Sequence, residues 1–196
     1  MGSRGSRGRP FVNLLPLEQN ERISAVLPIK NFEDGGYIFM ATRRATVKKT
    51  ELAAFANIRS NGIIAVDLRA DDALVGVTLT TGDDDVLMIS DAGRVIRFNE
   101  QGVRAMGRTA TGVRGMRLIA GASIDGEDDA ENADAEEAPT AALPARVIAL
   151  IKADGGDILT VSEYGYGKRT AMSEYPLRGR GGQGVIAQAL TEKSGR

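Results

Sequence analysis

The chain has 196 residues, enough for one domain or two small ones, and its hydrophobic fraction of 42% is typical of a globular protein. It contains no cysteine and no histidine, which excludes disulfides, thiol nucleophiles, histidine-based acid–base chemistry and the usual zinc sites. The formal net charge is −1, but eight acids and no basic residue lie between Asp125 and Glu137, so the rest of the chain is net positive. A basic body favours a polyanionic partner such as nucleic acid.

Targeting signals are lacking in the sequence. No apolar run approaches the roughly 18 residues that a membrane-spanning helix needs. Residues 1–10 are dominated by glycine, serine and arginine rather than by the apolar core of a secretory signal. We therefore expect a cytoplasmic protein with no membrane contact.

Residues 1–30 open the chain with a glycine–arginine stretch that carries Arg7 and Arg9. A short apolar run at residues 11–17 follows, and residues 23–29 form a second strand-like run. Leu14 in the first run lies six residues after Gly8, and the closing segments of the later copies also end six residues after a glycine. We interpret residues 1–30 as the tail of a preceding unit and a linking strand.

Three later segments repeat one pattern. Strand-like runs at residues 38–42, 86–90 and 158–162 are each followed by a turn and a second strand-like run. A short connection, a glycine-containing loop and a closing apolar run complete each copy, and we expect the closing run to be a further strand of its own unit. Self-similarity of this kind indicates a repeat protein.

Further strand-like runs at residues 74–79 and 147–151 add a fourth strand to the second and third units, counting the partial preceding unit as the first. Four short strands per roughly 48 residues are typical of propeller-like architectures. We predict an all-β fold, a propeller-like β-pinwheel built from repeated four-stranded blades, with about three blades plus part of a preceding one. The predicted blades are residues 31–79, residues 80–121 with 145–151, and residues 152–196. Residues 122–144 are rich in Ala, Asp, Glu and Pro and are predicted to be a disordered acidic insertion.

The turn of the first copy departs from the others. It has Ala45 where the later copies have Gly93 and Gly165. A left-handed backbone conformation costs an alanine about 1 kcal/mol. We therefore expect this turn to be built differently.

Catalytic and cofactor signatures are weak. The loop at residues 178–184 is glycine-rich but lacks the Lys-Ser/Thr pair that opens a helix in a phosphate-binding P-loop. The acids at residues 125–137 do not follow calcium-loop spacing. We predict no enzymatic activity for this chain by itself, no cofactor and no metal.

Basic residues recur at one position in the second strand of each copy (Lys49, Arg97 and Arg169) and also in the glycine loops. Glycine lets backbone N–H groups approach a phosphate, and a nearby guanidinium adds positive charge. The loops lack stacking aromatics and the chain lacks a groove-reading helix, so we expect sequence-tolerant binding to double-stranded DNA. The alternative explanation for the recurrent basic residue of the second strand is that outward-facing strand positions favour long, solvated side chains. The candidate DNA-binding residues are Arg7, Arg9, Lys48, Lys49, Arg59, Arg97, Arg104, Arg108, Arg114, Lys168, Arg169, Arg178 and Arg180.

Several segments resemble the C-terminal domain of the bacterial DNA gyrase A subunit: residues 8–17 (GRPFVNLLPL), 45–50 (ATVKKT), 103–107 with 111–115 (VRAMG and TGVRG), and 165–170 (GYGKRT). The resemblance covers nearly the whole chain except residues 122–144. It implies a six-unit β-pinwheel whose basic rim wraps DNA. It also implies two partners, which are the remainder of the gyrase A subunit and the gyrase B subunit. Together they would form an ATP-dependent topoisomerase of the bacterial cytoplasm and nucleoid.

The hallmark of that family is the gyrase box, Q-R-R-G-G-K-G, in its first unit. The loop at residues 178–184 is gyrase-box-like and matches the box only at Arg180, Gly181, Gly182 and Gly184. It also lies in a later unit than the box does. We therefore expect this chain to correspond to the middle of the domain.

Two alternatives remain open from the sequence. One is the corresponding domain of topoisomerase IV, a related arc with fewer units and little wrapping. The other is a propeller-like protein-interaction scaffold, whose binding face would be apolar or mixed rather than basic.

Overall fold

The structure, a computed structural model, describes residues 8, 10, 13, 15–19, 21–119 and 145–195. The predicted acidic insertion at residues 122–144 lies outside these residues, as do Arg7 and Arg9. The described chain is built of short strands: β1 (Tyr37–Thr42), β2 (Thr46–Glu51), β3 (Leu74–Thr80), β4 (Asp85–Ser90), β5 (Arg94–Asn99), β6 (Val113–Arg114), β7 (Val147–Lys152), β8 (Asp157–Val161), β9 (Gly167–Ala171) and β10 (Val185–Ile186).

The strands form three antiparallel sheets. Sheet A has the strand order β3-β1-β2-β6, sheet B has the order β10-β5-β4-β7, and sheet C is the hairpin β8-β9. The predicted hairpins and the fourth strands β3 and β7 are confirmed. A short 3₁₀ helix, Leu52–Phe55, follows β2. The all-β, propeller-like fold class is confirmed as well.

The linking strand predicted at residues 23–29 is not formed. These residues belong to none of the three sheets. A strand needs a neighbour with which to exchange N–H···O=C bonds, and the described residues place none beside this segment.

The closing runs do not complete their own sheets, and the prediction that they would is wrong. The strand β6 follows β5 along the chain but pairs with β2 of sheet A. In the same way β10 follows β9 but pairs with β5 of sheet B. The closing run of the first copy, residues 62–68, forms no strand in the structure. Neighbouring units are therefore joined by an exchanged strand as well as by the continuous chain.

A glycine precedes each exchanged strand because the backbone there lies against the neighbouring sheet. Gly112 has a φ of +115° and Gly184 a φ of +72°, both in the left-handed region that favours glycine. A Cβ on Gly112 would lie 2.5 Å from the carbonyl oxygen of Val47, and one on Gly184 would lie 2.2 Å from that of Val95. Any side chain at these positions would separate the exchanged strand from its partner.

The turn at Ala45 is built like the others, contrary to the prediction from its residue type. Ala45 has a φ of +63°, and its N–H donates to Thr42 O at 3.0 Å. The corresponding bond from Gly93 to Ser90 measures 3.1 Å. Ala45 is 1% exposed and belongs to the hydrophobic core, so burial of its methyl group offsets part of the backbone strain.

The core lies between successive sheets. Side chains alternate along a strand, and both faces of β4 are covered. Val86 and Met88 pack against Phe39 of sheet A, whereas Leu87 and Ile89 pack toward sheet C. This is why β4 is a continuous apolar run rather than an alternating one.

Sheet C differs from its equivalents in leaving one face uncovered. Leu159 is 66% exposed and Val161 is 63% exposed. The residues at the same positions of sheet B, Leu87 and Ile89, are 0% and 8% exposed.

We predict that Gly184→Ala lowers the free energy of unfolding by about 2 kcal/mol or more, because the methyl group adds a steric conflict to the strain of a left-handed alanine. Gly179→Ala in the same loop is the matched control, since a Cβ there meets nothing within 4 Å. Urea unfolding of both variants measures the difference. Equal losses would show that the contact between β10 and β5 is not tight.

Candidate nucleic-acid interface

The recurrent cation of the second strand anchors one sheet to the next. Lys49 Nζ donates to Glu100 O at 3.1 Å, and one terminal nitrogen of Arg97 donates to Met172 O at 3.3 Å. The acceptors lie at the same repeat position, in the short 3₁₀ helix that follows the hairpin of the next unit. Two of the three recurrent cations are therefore structural contacts between sheets.

The main chain repeats this arrangement. The N–H of Met106 donates to Lys49 O at 2.7 Å, and the N–H of Arg178 donates to Arg97 O at 2.9 Å. Isolated parallel bridges join Lys49 to Ala105 and Arg97 to Leu177. The two interfaces between sheets, the first between A and B and the second between B and C, thus share one hydrogen-bonding scheme.

Each recurrent cation also has a partner on the first strand of its own hairpin. Arg97 pairs with Asp85 at 2.7 Å, and Arg169 pairs with Asp157 at 3.2 Å. Lys49 instead lies over the ring of Tyr37, 4.7 Å from its centroid. The Arg169 side chain is 77% exposed because no further described unit packs on it.

Glu100 completes the first interface. It is 0% exposed, and its carboxylate accepts hydrogen bonds from Thr80 Oγ1 at 2.8 Å and from the N–H groups of Gly82 and Asp84 at 2.8 and 3.0 Å. Lys49 Nζ lies 3.5 Å from the same carboxylate. A buried carboxylate is tolerated when it is paired and hydrogen-bonded in this way.

Lys48 is enclosed by two loops. It is 1% exposed, and its Nζ donates to Ala65 O at 2.7 Å and to Arg108 O. Burial, and secondarily the nearby charge of Arg108, lowers the pKa of Lys48 to about 8, although Asp67 opposes the shift. In sheet C the equivalent Lys168 is exposed and its Nζ lies 3.5 Å from Ala187 O.

These contacts correct part of the candidate DNA-binding set. Lys48 and Lys49 are buried and engaged inside the fold, so neither side chain can reach a phosphate in this structure. Arg97 and Arg108 are half-buried. The described candidates that remain exposed are Arg59, Arg104, Arg114, Lys168, Arg169, Arg178 and Arg180.

The arginines of the glycine loops are held by main-chain carbonyls of the preceding unit. Arg108 donates to Ile64 O at 3.1 Å, and Arg180 donates to Arg114 O at 3.0 Å and to Gly102 O at 2.6 Å. The N–H of Gly181 adds a bond of 2.7 Å to Gly115 O. The gyrase-box-like loop, with Arg180, Gly181, Gly182 and Gly184, therefore lies against the exchanged strand β6.

Arg117 is an exposed cation that the search for recurrent charge missed. Its N–H donates to Gly182 O at 2.8 Å, which places it beside the gyrase-box-like loop. The equivalent residues in the other two copies are Asp67 and Ala189, so no basic residue recurs at the position of Arg117. Only this hydrogen bond between units shows that Arg117 adjoins the gyrase-box-like loop.

The described residues lack two features, a helix of membrane-spanning length and a cluster of metal-ligating side chains. These residues contain no helix long and apolar enough to cross a membrane. Within residues 21–119 and 145–195, no three acidic side chains are grouped so that they could hold a metal ion.

Comparisons with known proteins agree with this architecture. A family model for the DNA gyrase C-terminal domain, described as a β-propeller, matches residues 2–30, 36–81, 84–128 and 156–196. The DNA gyrase A subunit of Salmonella typhimurium (strain LT2) is 52% identical over 194 residues, which are 98% of this chain and 20% of that protein. Its counterpart in Escherichia coli (strain K12) is 48% identical over the same shares of each. The chain therefore spans about a fifth of the length of these relatives.

Two solved structures share the fold. A DNA gyrase A C-terminal domain superposes with a TM-score of 0.73 at 23% identity, over 97% of this chain and 56% of that one. The C-terminal domain of DNA topoisomerase IV gives a TM-score of 0.72 at 26% identity, over 91% of this chain and 49% of that one. Fold and sequence together define a propeller-like domain of a type II topoisomerase subunit. Within that class, the chain belongs to the DNA gyrase C-terminal domain family, as the resemblance in its sequence indicated.

Replacing the buried cation of the recurrent position should destabilise the protein more than replacing the exposed one. We predict that Lys49→Met lowers the free energy of unfolding by about 3 kcal/mol or more, because it leaves the buried carboxylate of Glu100 without its cation. Arg169→Met at the equivalent exposed position should cost less than about 1 kcal/mol. Chemical denaturation measures both, and similar losses would contradict the anchoring role of Lys49.

Lys48 should make stability depend on pH. Folded Lys48 releases its proton near pH 8, whereas the unfolded chain holds it up to about 10.5. Between these values the unfolded state binds more protons, so the free energy of unfolding rises with pH. We predict that the natural chain gains stability relative to Lys48→Met as pH rises from 8 to 10.5. A difference that is constant over this range would contradict the lowered pKa of buried Lys48.

Proposed function

We propose that this chain is a non-catalytic DNA-binding and DNA-wrapping domain of a gyrase A subunit. In this proposal it holds duplex DNA along its exposed glycine-loop arginines without reading base sequence. It works with the remainder of the gyrase A subunit, together with the gyrase B subunit, in the bacterial cytoplasm and in association with the nucleoid. Strand passage by that holoenzyme then introduces negative supercoils.

The observation that carries the proposal is the repetition of basic loops at successive interfaces. Arg108 and Arg180 occupy equivalent places beside the exchanged strand or closing run of the preceding unit. Their bonds to main-chain carbonyls fix these loops. The backbone that carries the neighbouring exposed arginines is therefore already ordered. Many phosphate contacts are needed, because bending a duplex through a right angle over 20–30 base pairs costs about 1–6 kcal/mol.

The gyrase assignment is favoured over topoisomerase IV by the curated relatives, which are A subunits of DNA gyrase at 48–52% identity. A protein-interaction scaffold would present its binding face as an apolar or mixed surface. The loops here expose arginines together with isolated apolar side chains such as Ile58 and Leu177. Leu159 and Val161 of sheet C are among the exposed apolar residues that a scaffold would use.

We predict duplex binding that is tolerant of sequence and steeply dependent on salt, since phosphate neutralisation releases counterions. Each phosphate contact contributes about −0.9 to the slope of log K against log salt concentration. Replacing Arg178 and Arg180 together by Ala should weaken binding to all sequences alike and make this slope shallower. Electrophoretic titration of a linear duplex at several salt concentrations measures both effects. A nearly flat slope for the natural chain would overturn the proposal.

A further inference from the structure

The first and second interfaces are built alike at their outer surface. Arg108 donates to Ile64 O at 3.1 Å in the first, and Arg180 donates to Arg114 O at 3.0 Å in the second. The N–H of Asp67 approaches Ala110 O at 3.5 Å, and the N–H of Arg117 donates to Gly182 O at 2.8 Å. The same main-chain geometry therefore presents two different sets of side chains.

The side chains at these matched positions differ in charge. Ile64 in the first interface corresponds to Arg114 in the second, and Asp67 corresponds to Arg117. The carboxylate of Asp67 also accepts a hydrogen bond from Thr111 Oγ1 at 3.1 Å. The first interface therefore places a negative charge where the second places a positive one.

A third matched position adds to the contrast. Met106 and Arg178 both donate their N–H to the carbonyl of the recurrent cation of the preceding sheet, at 2.7 and 2.9 Å. Only the second of these side chains carries a charge.

Two cations of the second interface, Arg114 and Arg117, are available to a ligand. Arg114 and Arg117 are exposed, and within residues 21–119 and 145–195 neither forms an ion pair. The backbone under both is fixed, since Arg114 lies in β6 opposite Thr46 and Arg117 is bonded to the gyrase-box-like loop. Ordered backbone lowers the entropic cost of holding each guanidinium against a phosphate.

We propose that the second interface is the principal phosphate-binding site of the chain and that Arg117 belongs to it together with Arg114 and Arg178. Its ligand is the sugar–phosphate backbone of a duplex, so this inference rests on the proposed function. The first interface contributes less because Asp67 repels the same backbone. Binding is thus uneven along the array rather than equal at every unit.

A pair of charge exchanges between the matched positions tests this assignment. Arg117→Asp copies the first interface into the second, and Asp67→Arg copies the second into the first. The backbone N–H contact between units is available in both variants, and Asp67→Arg removes in addition the hydrogen bond from Thr111 Oγ1 to the Asp67 carboxylate. Arg146→Asp is the control, because it makes the same charge change at an exposed residue that also bonds to the fold through its backbone N–H.

We expect Arg117→Asp to lower the affinity for a linear duplex about tenfold at low salt and to make the salt slope shallower by about one. Asp67→Arg should raise the affinity several-fold. Arg146→Asp should change it much less than Arg117→Asp does. Circular dichroism melting confirms that each variant is folded, and Arg117→Gln replaces Arg117→Asp if the latter is not.

The outcomes separate the two proposals. A natural chain that binds no duplex at any salt concentration contradicts the proposed function. Salt-dependent binding that falls equally in Arg117→Asp and Arg146→Asp leaves the function standing and overturns the second interface as the principal site. Binding unchanged by Asp67→Arg also overturns it.

Discussion

The exchange of a two-residue strand between neighbouring sheets is the contact on which the rest of the structure depends. It needs a left-handed glycine whose backbone lies directly on the neighbouring strand, as at Gly112 and Gly184. Once it forms, the glycine loop just before it in the chain is placed beside the preceding unit, and an arginine of that loop bonds to a main-chain carbonyl. The cations Lys49 and Arg97 secure the same interfaces from the other side. The position of the exposed arginines is therefore a consequence of how the sheets are joined.

The hairpins, their turns and the repeat could be predicted from the sequence, because alternation and turn glycines are local signals. Strand exchange could not, since β6 and β10 have two residues each and so carry no periodicity. The turn at Ala45 was predicted wrongly from its residue type, because the burial that offsets its backbone strain comes from distant parts of the chain. Local rules fail here where a tertiary contact decides the outcome.

The cations show the same division. Recurrence singled out Lys49, Arg97 and Arg169 as important, but recurrence alone does not distinguish a DNA contact from a contact between sheets. Burial and hydrogen-bond partners make that distinction, and they assign Lys49 and Arg97 to the interfaces. Arg117 was missed for the opposite reason, since its repeat equivalents carry other charges. Comparison of the repeats identifies residues that recur, so it does not identify a residue that is basic in one unit alone.

The cations therefore fall into two classes, one that holds the sheets together and one that is exposed and that we propose faces a duplex. Hydrogen–deuterium exchange of the chain with and without duplex DNA tests this separation directly. We predict added protection at residues 102–117 and 178–184 and unchanged exchange in β2 and β5, which are already protected in the free protein. Protection concentrated instead on the exposed face of β8, around Leu159 and Val161, would contradict the separation.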